Sequence, residues 1–118
     1  MDKKVKELIN TQINKEFYSA YLYLDFSGYY NDLGLDGFAN WYEVQAQEEK
    51  DHAMLMRQYL YNNGEHVTLL PIEKPDKEYK TAEDPLRFAL EHEKYVTGLI
   101  NAIYAAADAV HDYRTMQC

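Results

Sequence analysis

From Lys3 to about Asn31, apolar side chains return every three or four positions, the period of a helix with one buried face. The inward stripe of this first helix reads Ile9, Ile13, Glu16, Ala20, Tyr23, Ser27, Tyr30, with Leu8, Phe17 and Leu24 beside it. Residues 31–36, Asn-Asp-Leu-Gly-Leu-Asp, supply a glycine for a tight reversal and Asp36 to open a second helix. That helix spans 36–63, and its stripe is Phe38, Tyr42, Gln45, Glu49, His52, Met56, Tyr59. Residues 65–80 hold two prolines and no helical period, so they form an extended connection. Roughly 16 residues at about 3.3 Å each reach about 50 Å, enough to run the length of a bundle. A third helix spans 83–109, with Pro85 tolerated in its first turn and the stripe Leu86, Leu90, Glu93, Thr97, Ile100, Tyr104, Ala107. His111 to Tyr113 form another turn, and residues 113–118 begin a fourth helix. The expected fold is therefore all-α: one domain over 1–118, an up-down bundle with a long crossover between the second and third helices and the fourth helix largely missing.

Four residues able to ligate a metal, Glu16, Glu49, His52 and Glu93, stand on these stripes. Glu49 and His52 are three apart, about 60° around a helix, so both share one face. Glu16 and the Glu49–His52 pair lie nearly equidistant from Gly34, so a hairpin folded there brings them to one level. Glu93 reaches the same level from the third helix. A lone inward glutamate is ordinarily structural, held by a hydroxyl or water, and a Glu-x-x-His pair arises by chance on many helices. Four such groups at one level are different, because no lysine or arginine occupies the stripes to pair with them. Unpaired buried carboxylates must protonate or bind a cation. Carboxylates with imidazole and no thiolate suit Fe(II), Mn(II) or Zn(II), and a bridging glutamate allows two ions close together.

Charge agrees with a cation as partner. The 118 residues carry 20 acidic and 12 basic side chains for a net charge of -8, which disfavours nucleic acid. The single cysteine, Cys118, permits neither an internal disulfide nor a cysteine zinc motif, which fits a reducing cytoplasm. The charged N-terminus does not read as a signal peptide, and no run is long enough to span a membrane.

Around the four ligand candidates, Tyr23 lies two turns after Glu16. It is the candidate catalytic residue, as support for a metal-bound glutamate, against the ordinary reading of a core tyrosine with a buried acceptor. Glu48 sits at the edge of the stripe and reads as a solvated or interhelical group. Glu91, His92, His66 and His111 fall off the stripes or into loops and are expected at the surface.

The segments Glu16-Phe17-Tyr18-Ser19-Ala20-Tyr21-Leu22-Tyr23, Ala46-Gln47-Glu48-Glu49-Lys50-Asp51-His52-Ala53 and Glu91-His92-Glu93 resemble those of the prokaryotic non-haem ferritins. The resemblance covers essentially the whole chain. It implies a ferritin-like bundle assembled into a cage of twenty-four subunits, and a di-iron ferroxidase centre oxidising Fe(II) to Fe(III) for mineral storage with dioxygen or hydrogen peroxide as oxidant. It also implies Glu16 and His52 on the first iron, Glu49 bridging, Glu93 on the second and Glu48 contributing to a third site. Bacterioferritins carry a haem-ligating methionine beside the bridging glutamate; Lys50 stands there, so no haem is expected. The resembled family continues into a full fourth helix, so the chain as it stands is expected to hold an incomplete site with weak ferroxidase turnover. Two other readings are a non-catalytic, self-assembling helical scaffold that binds metal incidentally, and a rubrerythrin-like peroxidase.

Overall fold

The computed structural model describes residues 1–117, so Cys118, with which the expected start of a fourth helix ends, lies outside the described residues. The elements are α1 (Lys3–Asp32), α2 (Asp36–Asn62), α3 (Asp84–Ala109) and a single turn, α4 (Tyr113–Met116). Among the described residues there is no strand.

Local chemistry sets each boundary. The Asp2 carboxylate accepts from the Val5 N–H at 3.0 Å and caps α1. Both α1 and α2 end on a glycine with φ +73°, Gly34 and Gly64. The next residue turns its N–H back onto a carbonyl of the last turn: Leu35 to Tyr30 at 2.9 Å, Glu65 to Leu60 at 3.0 Å. Asp36 is the first residue of α2 and makes no cap bond; its charge favours the helix start electrostatically. Pro85 sits in the first turn of α3, where a missing N–H costs nothing.

The connection between α2 and α3 climbs along α1. Glu65 pairs with Lys6 at 3.3 Å. Asn10 exchanges two hydrogen bonds with the backbone of Thr68, and Asn14 accepts from the Leu70 N–H. Further up, the Tyr79 hydroxyl meets Asp25 and the Tyr30 hydroxyl meets the Ala82 carbonyl. The path crosses nearly the whole of α1 in a molecule 49 Å long, so α2 and α3 run parallel and α1 antiparallel to both.

α1 is the shared wall. Both α2 and α3 pack on it, while no Cα pair between α2 and α3 comes within 8 Å. The core falls into two clusters: Val5, Ile9, Ile13, Ala53 and Leu60 at one end, and Leu22, Tyr23, Phe26, Tyr30 and Tyr42 at the other. Glu16 and Glu49 lie at the level between them.

The stripe read for α3 requires correction. Leu86, Leu90, Ile100 and Tyr104 are 42–58 % exposed, and Glu93 and Thr97 are exposed too. Ala107, the last residue of that stripe, is fully buried as expected, but farther up the helix the face against α1 carries Ala89, His92 and Val96, rotated by about one residue. Apolar period locates an amphipathic face; which neighbour that face meets is set by packing, and here it borders the gap between α2 and α3. Phe38, expected inward, is about half exposed as well and lines a cleft with Leu86 of α3, and Leu24, placed beside the α1 stripe, is also about half exposed.

Candidate metal centre

Helical spacing and the turn at Gly34 together place Glu16 of α1 beside Glu49 and His52 of α2. One ligand atom from each of the three lies within 4.8 Å of the others. His52 Nδ1 is 3.6 Å from Glu49 Oε2 and 4.0 Å from Glu16 Oε2. Glu16 is 1 % exposed and Glu49 is buried, whereas the His52 ring, expected to point inward, is about half exposed. It stands at the edge of the gap between α2 and α3, in a cavity of about 260 Å³ that it shares with Met56, Tyr59 and Ile103.

Within this group one atom is an orphan. Glu16 Oε1 accepts from the side-chain amide of Gln12 at 2.8 Å, but Glu16 Oε2 is buried with no hydrogen-bond partner. A native interior rarely leaves a carboxylate oxygen in that condition, and an unexplained one signals a missing ligand. Glu49 carries the matching electrostatic signature. Its pKa is pushed up to about 9, first by burial and then by the neighbouring carboxylates of Glu16, Glu93 and Glu48. Crowded anions that would protonate at neutral pH become favourable ligands once a cation stands among them.

Glu93 approaches from α3 but lies outside the three-residue group. Its carboxylate accepts from the Tyr23 hydroxyl of α1, whose pKa is raised by burial and by that same carboxylate. Tyr23 thereby ties α1 to α3 at the level of the centre. Glu48 is exposed and is not brought into the group.

Two features were not legible as site residues. Gln12, 1 % exposed, is one turn before Glu16 on the same face, a position that could have flagged it. His92, expected at the surface, is half-buried: its Nε2 lies 2.7 Å from Ser19 Oγ and its ring packs against Tyr18 and Tyr23. Because the Ser19 hydroxyl donates to the Lys15 carbonyl, Ser19 accepts from His92, so the Nε2 nitrogen carries the proton. Burial lowers the His92 pKa, against the opposing pull of the Glu93 and Glu16 carboxylates, and so disfavours the charged ring. The rotation of α3 that exposes Glu93 is what turns His92 inward. Glu91, His66 and His111 are exposed, as their positions off the stripes suggested.

The donor set of two buried carboxylates and an imidazole, with no cationic side chain among them, fits a divalent first-row metal. Among the described residues, no helix is long and apolar enough to cross a membrane.

Comparison with known proteins gives a consistent result. Residues 6–118 match the ferritin-like domain family. The chain is 36 % identical over 115 residues to a bacterial non-heme ferritin of Campylobacter jejuni, covering 98 % of this chain and 69 % of that one. A bacterial non-heme ferritin of Bacteroides fragilis is 33 % identical over 115 residues, again 98 % of this chain and 72 % of the other. Among solved structures, the open pore ferritin of Archaeoglobus fulgidus superimposes with a TM-score of 0.95 at 38 % identity, over 99 % of this chain and 72 % of that one.

Proposed function

This chain belongs to the ferritin-like domain family, and from that premise we propose that it is an iron-storage protein whose Glu16–Glu49–His52 group receives Fe(II) and promotes its oxidation to Fe(III). The observation that carries this reading is the orphaned Glu16 Oε2, buried beside a second carboxylate and an imidazole with no cationic partner. Iron is the substrate and the cargo, and the protein supplies the donors.

Glu16 and His52 hold one ion, Glu49 stands where it can serve two, and Glu93 reaches toward a second from α3. Carboxylate oxygens stabilise Fe(III) more than Fe(II), so they favour the charge that develops as an electron leaves. His52 adds a neutral donor, and its half-exposed ring stands where ions arrive from solvent. Two Fe(II) ions release one electron each. Dioxygen takes that pair with two protons to become hydrogen peroxide, or hydrogen peroxide takes it with two protons to become water. The oxidised ions then move to a mineral store enclosed by an assembly of this chain, twenty-four copies in the cage of the resembled family, working in the cytoplasm.

Replacing one glutamate at a time tests the assignment. Glu49→Ala removes a donor shared by both ions and is expected to slow aerobic Fe(II) oxidation more than Glu93→Ala, each by about 10-fold or more. The rate is followed by absorbance after rapid mixing. Equal, wild-type rates in both variants contradict the assignment.

A further inference from the structure

Resting on that reading of the centre, we propose that Gln12 is a positioning residue that occupies one oxygen of Glu16 and so leaves Oε2 as the single oxygen available to a cation. Gln12 is 1 % exposed, as is Glu16, and the two are one helical turn apart on the buried face of α1. The Gln12 amide donates to Glu16 Oε1 at 2.8 Å, while Oε2 has no partner and faces His52 Nδ1.

The chemistry of the donor matters as much as its place. A lysine or arginine at position 12 would neutralise Glu16 and compete with the incoming cation. A primary amide is uncharged: it fixes the plane of the carboxylate through one hydrogen bond and leaves the negative charge for the metal. It is itself held, because Val5, Ile9 and Ile13 form the apolar end of the core on the same buried face and Gln12 has almost no contact with water. With Oε1 engaged, Glu16 gives one bond to an ion rather than two, and the coordination position it does not take remains open for a second ligand or an oxidant.

The test uses cobalt(II), added without oxygen to the full chain and followed by its visible ligand-field absorption, which weakens as more donors surround the ion. Gln12→Met keeps the length of the side chain and removes the donor, freeing Oε1. The expected result is a several-fold drop in molar absorbance as Glu16 takes the ion with both oxygens, with helix content unchanged. Gln12→Asn, whose amide is one methylene too short to reach, is expected to do the same, and it provides the readout should the methionine variant fold poorly. Both variants are also expected to bind cobalt(II) with an affinity changed by about 10-fold. If the absorption per bound ion equals that of the wild-type chain in the folded variants, Gln12 is only a satisfied core amide and the inference fails, whatever happens to affinity. If the wild-type chain takes up no cobalt(II) and Glu16→Ala changes nothing, the reading of the centre fails as well.

Discussion

Glu49 shows how a single residue's environment becomes a property of the protein. In the metal-free chain its pKa is raised from 4.5 to about 9, chiefly by burial and then by the carboxylate of Glu16. A carboxyl that holds its proton more tightly when folded stabilises the fold fully below about pH 4.5, and that contribution is lost as pH rises through about 9. The metal-free protein is therefore expected to lose resistance to urea between about pH 6 and pH 9, and Glu49→Gln to flatten that slope. Saturating divalent metal should reverse its sign, because the ion replaces the proton and binds better where the carboxyl ionises more readily. A wild-type midpoint that does not move with pH in the absence of metal would contradict the assignment. That Glu16, Glu49 and His52 would meet was legible because helical period and mirror symmetry about Gly34 are one-dimensional facts. Gln12 was not, since a glutamine one turn from a glutamate has no distinctive pattern; only its burial and its bond to Oε1 separate it from a surface amide.

At the scale of elements, three helix ends share one device. After α1, α2 and α3 a left-handed residue lets the following N–H return to the last turn: Leu35 to Tyr30, Glu65 to Leu60 and Asp112 to Ala107 at 2.8 Å. The first two use glycine, the third His111 at φ 56°. A left-handed residue with a Cβ carries a steric penalty of about 1–2 kcal/mol that glycine avoids, partly offset by glycine's greater freedom when unfolded. The 3.1 Å contact from the His111 ring to Tyr113 is exposed and offsets little of this strain, so His111→Gly is expected to raise stability by about 0.5–1 kcal/mol in urea unfolding, and a lowered midpoint would contradict the account. Element boundaries of this kind were readable in advance from the glycines, from Pro85 and from the prolines of the connection. The rotation of α3 was not. The apolar residues Leu86, Leu90, Ile100 and Tyr104 repeat correctly for a buried stripe, but only its last member, Ala107, is buried; above it α3 touches α1 along a line that runs through Ala89 and Val96, whose small side chains admit close approach. Packing geometry between helices is a three-dimensional choice that the period of one helix does not contain.

Across the whole molecule, two opposing forces meet at the surface. Large apolar groups stand open to solvent on several sides: Trp41 is 60 % exposed, Leu55 69 %, Leu90 58 % and Leu24 50 %. Apolar exposure on this scale marks surfaces that associate, since each buried apolar side chain is worth about 1.5–3 kcal/mol. Against this works a net charge of -8 on every copy, which repels like copies over a distance set by the salt. Assembly driven by apolar contact and resisted by charge should strengthen as salt screens the repulsion. Sedimentation at rising ionic strength is expected to move mass from the 13.9 kDa chain to larger species, whereas an assembly held by ion pairs would dissociate under the same change. Leu55→Asp places a charge in the gap between α2 and α3 at a position that contributes little to the isolated fold, and it is expected to shift the balance back toward the single chain with helix content preserved. Because His52 lines the same cavity as Leu55, whatever covers that gap also closes the solvent side of the metal centre, so a variant that blocks assembly should bind Fe(II) with faster release. Equal release rates from assembled and single chains would show instead that the centre is complete without a cover.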